Sequence, residues 1–248
     1  MKIFYFSATG NSLHVALSLG GEVLPVVKCI ESGSLCHTAD VIGFVFPVHF
    51  GQVAPPMIDF LKLADLHAHY FFLIATYGHY PANAMQQFNS LLREKGLKTD
   101  YQNGVEMVDT WLPRFDVDAE ISLLPSRKVE EHISKICKDI ENRRKKILPF
   151  KFLPFIVGFF ERRIKYRNIC RKFIVNEACN GCGICRKVCP QQNVQIEAGL
   201  PQFGHSCISC LACVHLCPQC AIHFYGEKSK KRFHHPAISL TQLISGIK

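Results

Sequence analysis

Two runs of cysteine constrain this chain more than any other feature. Cys179, Cys182, Cys185 and Cys189-Pro190 follow the spacing C-x-x-C-x-x-C-x-x-x-C-P, and Cys207, Cys210, Cys213 and Cys217-Pro218 repeat it 28 residues later. That pitch wraps three thiolates round three corners of a cuboidal cluster and turns the fourth away. In two-cluster chains the fourth cysteine serves the other cluster. The runs therefore predict one 4Fe-4S cluster on Cys179, Cys182, Cys185 and Cys217, and a second on Cys207, Cys210, Cys213 and Cys189. Gly181 and Gly183 keep the first loop slim, so that backbone N–H groups can approach the sulfurs. Structural zinc also uses C-x-x-C pairs. It gains nothing, however, from a third cysteine at the same pitch followed by Cys-Pro.

The chain has 13 cysteines in 248 residues. In a secreted protein they would suggest disulfides, but no export signal is visible. The opening run Met1–Phe6 breaks at Ser7-Ala8-Thr9, and no apolar stretch reaches the roughly 18 residues of a membrane-spanning helix. A cytoplasmic protein with reduced thiols is expected. Cys29, Cys36, Cys137 and Cys170 read as small hydrophobes or surface thiols, and Cys220 as a packed bystander near the first cluster.

The net charge of +9 is uneven: −5 over residues 1–142, +10 over 143–172 and +4 over 173–248. Residues 147–173 add Phe150, Phe152, Phe155, Phe159 and Phe160 to this basic stretch, interrupted by Pro149 and Pro154. Packing between two domains is the favoured reading of this junction. The rival reading is a peripheral membrane contact, with a short helix from Phe155 to Arg167 on anionic head groups. Nucleic-acid binding is disfavoured, because no recognised motif surrounds the basic run.

The first part alternates apolar runs with helical patterns. Strands are expected at Lys2–Phe6, Glu22–Val27, Asp40–Val48, Tyr70–Tyr77 and Gly104–Asp109. Helices are expected at Ser12–Leu19, Pro55–Leu66, Ala82–Lys95 (closed by Gly96) and Ser126–Lys146 (with Ser126 as N-cap). Strands apolar at nearly every position are buried on both faces, as in a parallel sheet covered by helices. The expected fold class is thus α/β, a doubly wound parallel five-stranded sheet, followed by a small α+β domain. After the first strand, Ser7, Thr9, Gly10, Asn11 and Ser12 supply hydroxyls, a glycine and free N–H groups at a helix start, which suits a phosphate. Neither G-x-x-x-x-G-K-[ST] nor G-x-G-x-x-G is present there.

Residues 174–226 resemble the bacterial two-cluster ferredoxins, including Asn193-Val194-Gln195-Ile196 between the runs and Ala221-Ile222 after the second. The Ser7–Ser12 loop resembles that of the flavodoxins, with Ala8 where glycine is usual. That resemblance implies FMN, its phosphate on the first loop and its ring held by Pro47, His49 and Phe50 and by Thr76, Tyr77, Gly78 and Tyr80. The whole order is similar to the flavodoxin–ferredoxin fusion proteins of anaerobic bacteria, as is the tail Lys230-Lys231-Arg232-Phe233-His234-His235-Pro236. It implies a flavodoxin-like FMN-binding domain over 1–146, a junction over 147–173, a two-cluster ferredoxin domain over 174–226 and a tail over 227–248. The function implied is electron transfer between the clusters, FMN and redox partner proteins. The alternative is an FMN-dependent reductase fed by its own clusters.

Overall fold

The computed structural model describes residues 1–81, 83–149 and 169–247. β1 (Lys2–Tyr5) leads through a tight loop into α1 (Asn11–Ser18) and back to β2 (Glu22–Pro25). α2 (Val26–Ser32) and the short β3 (Cys36–Thr38) precede β4 (Val41–His49), which folds back on β5 (Gln52–Val53). Then come α3 (Pro55–Leu63), β6 (Asp65–His67), β7 (Tyr70–Tyr77), α4 (Ala84–Glu94) and β8 (Tyr101–Glu106). The main strands stand in the order β2-β1-β4-β7-β8, all parallel. Counted among themselves they run 2-1-3-4-5, the flavodoxin-like doubly wound order.

Alternation along the strands assigns the two faces. Phe4, Phe44, Phe46 and Phe88 pack one core with α2, α3 and α4. Ile3, Tyr5, Val45, Phe72 and Ile74 face the other, beneath α1 and α7 (Val129–Glu141). Each large apolar side chain fully buried in this way contributes about 1.5–3 kcal/mol. A doubly wound sheet opens at the carboxyl ends of its strands where the order reverses, here between β1 and β4.

Several boundaries differ from the sequence reading. α2 occupies what reads as a strand end and loop, because Pro25 turns the chain and Gly33, at φ +70°, closes the helix. β8 begins at Tyr101, not Gly104: its polar Gln102 and Asn103 are buried, and Asn103 donates to the Tyr101 hydroxyl. The expected Ser126–Lys146 helix covers the end of α6 (Leu124–Arg127) and then α7, which stops at Glu141, and a further short helix, α5 (Val117–Ser122), precedes it. Lys128, in the left-handed region at φ +47°, stands at the break in place of a Ser126 cap.

The second unit carries its duplication into structure. β9 (Phe173–Val175) pairs with β12 (Ile222–Phe224), and β10 (Val194–Glu197) with β11 (Leu200–Phe203), both antiparallel. The single-turn helices α8 (Ile184–Lys187) and α9 (Ala212–His215) lie 28 residues apart. The last residues return to the first unit. α10 (Leu240–Ser245), opened by a Ser239/Gln242 capping box, buries Leu243 in the core that holds Ile3 and Phe72. The five phenylalanines of the junction and the helix expected at 155–167 lie outside the described residues, as does Ala82. Among the described residues no helix is long and apolar enough to cross a membrane.

Candidate functional site

A cavity of about 240 Å³ opens at the carboxyl edge of the sheet. Ser7, Thr9, Asn11 and Ser12 border it from the β1–α1 loop, Pro47, His49 and Phe50 from the end of β4, and Thr76, Tyr77, Gly78 and Tyr80 from β7. The sequence pointed to each of these positions because each follows a strand buried on both faces. Gly10 is the exception. It does not border the cavity: its N–H donates to Ser7 Oγ at 3.1 Å, and its α-carbon faces His235 and Ile238 of the returning tail.

No side chain caps the N-terminus of α1, and its first turn holds no acidic residue. Its leading N–H groups and positive dipole end are therefore available to an anion. The Ser12 and Thr76 hydroxyls pair at 2.8 Å and lock the loop to β7. Asn11 Nδ2 donates to the Val108 carbonyl, and its Oδ1 is buried with no partner among the described residues. Backbone donors beside an orphaned acceptor suit a ligand carrying both a phosphate and hydroxyls, and the aromatic rings round the mouth suit a flat ring. The residues present fit FMN on these observations.

A fourth loop, Val108–Phe115, begins where the sequence reading carries strand five on to Asp109, whereas β8 ends at Glu106. Trp111 meets the Phe50 ring edge-on at 4.8 Å, and Phe115 stacks on His79 at 4.6 Å. Burial raises the Asp109 pKa, and its Oδ1 accepts from the Trp111 N–H. Behind this loop lies a buried charge network. Arg127 bonds Glu120 and Glu106 and donates to the Met107 and Gly78 carbonyls, while Glu120 also takes His79 and the Asp109 N–H. The ends of β7 and β8 are thus tied to one guanidinium.

The cysteines surround two smaller cavities. Cys179, Cys182, Cys185 and Cys217 line one, and Cys207, Cys210, Cys213 and Cys189 line the other. Among the described residues no three His, Cys, Asp or Glu side chains converge on a single-ion site. Four thiols spread round a cavity fit a cuboidal cluster better than one zinc ion. Backbone N–H groups reach the sulfurs: Asn193 to Cys189, Ala221 to Cys217 and Ser209 to Cys207, each at 3.3 Å. Gly181 and Gly183 adopt φ near +70°, and Ser209 and Leu211 take the same conformation 28 residues on without being glycines. Cys220 is exposed and stands outside both cavities.

The two units meet at the first cavity, whose wall includes Ser209, Cys210 and Leu211 of the second cysteine run. His49 Nε2 bonds the Ile208 carbonyl at 2.6 Å, and burial lowers the His49 pKa to about 4. The neutral ring therefore donates its Nε2–H across the seam, while one edge borders the cavity. His215 on α9 bonds the Thr110 carbonyl at 2.8 Å through Nε2 and accepts the Phe233 N–H at Nδ1. These cross-unit bonds leave no local trace in sequence, because their partners stand more than 100 residues apart.

No curated protein matches the chain. Among solved structures, "The Structure of Trp Repressor Binding Protein from Bacillus subtilis" is similar at 12% identity and a TM-score of 0.32, covering 42% of this chain and 83% of that one. Residues 171–218 match the family model of the 4Fe-4S dicluster domain. Together with the cysteine cavities, that match supports 4Fe-4S cluster binding and iron–sulfur electron transfer in this part of the chain.

Proposed function

We propose that the chain relays electrons between two 4Fe-4S clusters and an FMN and passes them to a redox partner protein. The observation that carries this reading is the shared cavity. The same space is bordered by the anion-ready start of α1 and by Cys210, which this reading makes a ligand of the second cluster. FMN exchanges electrons singly or in pairs, and each cluster exchanges one, so the combination joins one- and two-electron chemistry. Ser7, Thr9 and the α1 N–H groups would hold the phosphate, Asn11 Oδ1 a hydroxyl, and the Phe50, Tyr77 and Tyr80 rings the flavin. His49 and His215 fix the cluster loop against that space. The first cluster, with Cys182 exposed, is the side on which a partner would dock.

Protein purified without oxygen should hold about eight iron, eight sulfide and one FMN per chain. Cys217→Ser should strip iron together with Cys179→Ser, not with Cys207→Ser. Recovery of FAD, or of no flavin after reconstitution with FMN, would sink the flavin half of the proposal. A second reading, an FMN-dependent reductase, draws on Asp109, a carboxyl at the cavity whose proton affinity is raised by burial. It requires turnover of an organic acceptor that Asp109→Asn slows while the flavin content stays constant.

A further inference from the structure

The C-terminal tail crosses the β1–α1 loop between two anchors. At one end the Phe233 N–H donates to His215 Nδ1 at 3.1 Å, and its side chain is buried in one core with Val214 and Ile222 of the cysteine-rich unit. At the other end Ile238 and Leu243 are buried in the core of Ile3 and Phe72. His235 lies between these anchors. Its ring stacks on His14 of α1, with centroids 4.0 Å apart and 17° between the planes, and His14 Nε2 meets Glu130 of α7 at 2.8 Å. The His235 N–H donates to the Thr9 carbonyl at 2.8 Å. In the sequence this stretch carried a resemblance and no role.

The bond to Thr9 reaches the cavity through one rigid unit. A trans peptide is planar, so its C=O and N–H point in opposite directions. Holding the Thr9 carbonyl on the tail therefore turns the Gly10 N–H to the other side, where it donates to Ser7 Oγ at 3.1 Å. The Gly10 carbonyl meanwhile accepts the His14 N–H at 2.8 Å and opens α1. A serine hydroxyl has one hydrogen and two lone pairs. With a lone pair engaged by Gly10, Ser7 Oγ is fixed in place and its O–H hydrogen is set to donate to a second group. Ser7 is 7% exposed and borders the cavity. A phosphate oxygen takes such a donor in a charge-assisted bond, which weakens steeply once the donor is misaligned.

We propose that the tail is a strap for the phosphate loop and that His235 is its positioning residue: the His235 N–H, acting through the Thr9–Gly10 peptide, holds the Ser7 hydroxyl on the phosphate of the bound flavin. This inference rests on the FMN reading. The test compares the anaerobic affinities of FMN and of riboflavin, which lacks the phosphate, for the flavin-free full chain with its clusters intact. The wild type should prefer FMN. His235→Pro removes the N–H and should cut that preference about tenfold, by weakening FMN while riboflavin binds as before. In a Ser7→Ala background the same change should leave the preference where Ser7→Ala alone puts it, because the hydroxyl through which the strap acts is gone. Coupling between two sites is reciprocal, so FMN should slow hydrogen exchange over residues 233–238 of the wild type more than riboflavin does. That measurement needs no variant and decides the matter if His235→Pro does not fold. An equal loss of both flavins in His235→Pro would reduce the tail to a brace and overturn the proposal. So would an unchanged preference, or tail exchange that both flavins slow alike. Equal binding of the two flavins by the wild type would instead defeat the phosphate-loop reading beneath it.

Discussion

Gly10 illustrates how a residue singled out for a ligand can be demanded by the fold itself. Its φ of +99° belongs to the region that costs an L-residue roughly 1–2 kcal/mol. A Cβ there would lie 2.9 Å from His235 Cβ and 3.2 Å from the His235 nitrogen. The tail crosses at this point because the His235 N–H donates to the Thr9 carbonyl at 2.8 Å. The glycine is therefore required by the turn and by the tail that closes over it, before any ligand is considered. Gly10→Ala should lower stability by about 2 kcal/mol, the left-handed penalty joined by displacement of the tail. Denaturant unfolding of ligand-free protein measures this directly. An unchanged midpoint would mean that the tail does not rest on the loop.

At the scale of elements, the ends of β7 and β8 are held by α6 through Arg127. The Arg127 and Glu120 side chains are 4% and 5% exposed, so this is a buried pair with its remaining donors on backbone carbonyls. Removing one partner strands the other, and Arg127→Met should cost about 3–5 kcal/mol. The double variant Arg127→Met/Glu120→Gln should cost less than Arg127→Met alone, because no buried charge is then left uncompensated: Glu106, the other partner of Arg127, is 41% exposed and can be solvated. Equal losses would place the network at the surface in energetic terms. These elements also mark how far the sequence could be read. The cysteine runs were legible because ligand spacing is local, and the three cavity loops because each follows a doubly buried strand. The Val108–Phe115 loop was not, since Val105, Met107 and Val108 continue the apolar pattern past the last ladder pair at Glu106. Lys128 gave no sign of a left-handed break, having neither the glycine nor the proline that usually marks one.

For the whole molecule, the units are interlocked rather than strung together. Val188, Ala212 and Leu216 of the cysteine-rich unit share one core with Ile3, Val45 and Phe72 of the sheet, and Ile238 and Leu243 of the tail complete it. His49 sits on this seam, and its protonation equilibrium should make the seam sensitive to acid. Burial holds its pKa down to about 4, against the opposing pull of its bond to Ile208. Above about pH 6.5 the residue is neutral whether the chain is folded or not, so its contribution to stability is complete. Between about 6.5 and 4 the unfolded chain takes up a proton that the folded chain refuses, so stability falls as pH falls through that window. Protonation would also place a charge inside the junction between the cluster loop and the cavity. Glutamine can donate an N–H to the Ile208 carbonyl without titrating. His49→Gln should therefore show a shallower loss of stability than the wild type between pH 7 and pH 5. It should keep some slope, because His235 is likewise lowered to about 4 by burial and by His14 beside it. Urea midpoints of both proteins, read anaerobically from the far-ultraviolet signal and from the cluster absorbance, give the comparison. Coincident transitions of the two signals are expected from a shared core. Parallel pH slopes in wild type and variant would remove His49 from the seam's acid response.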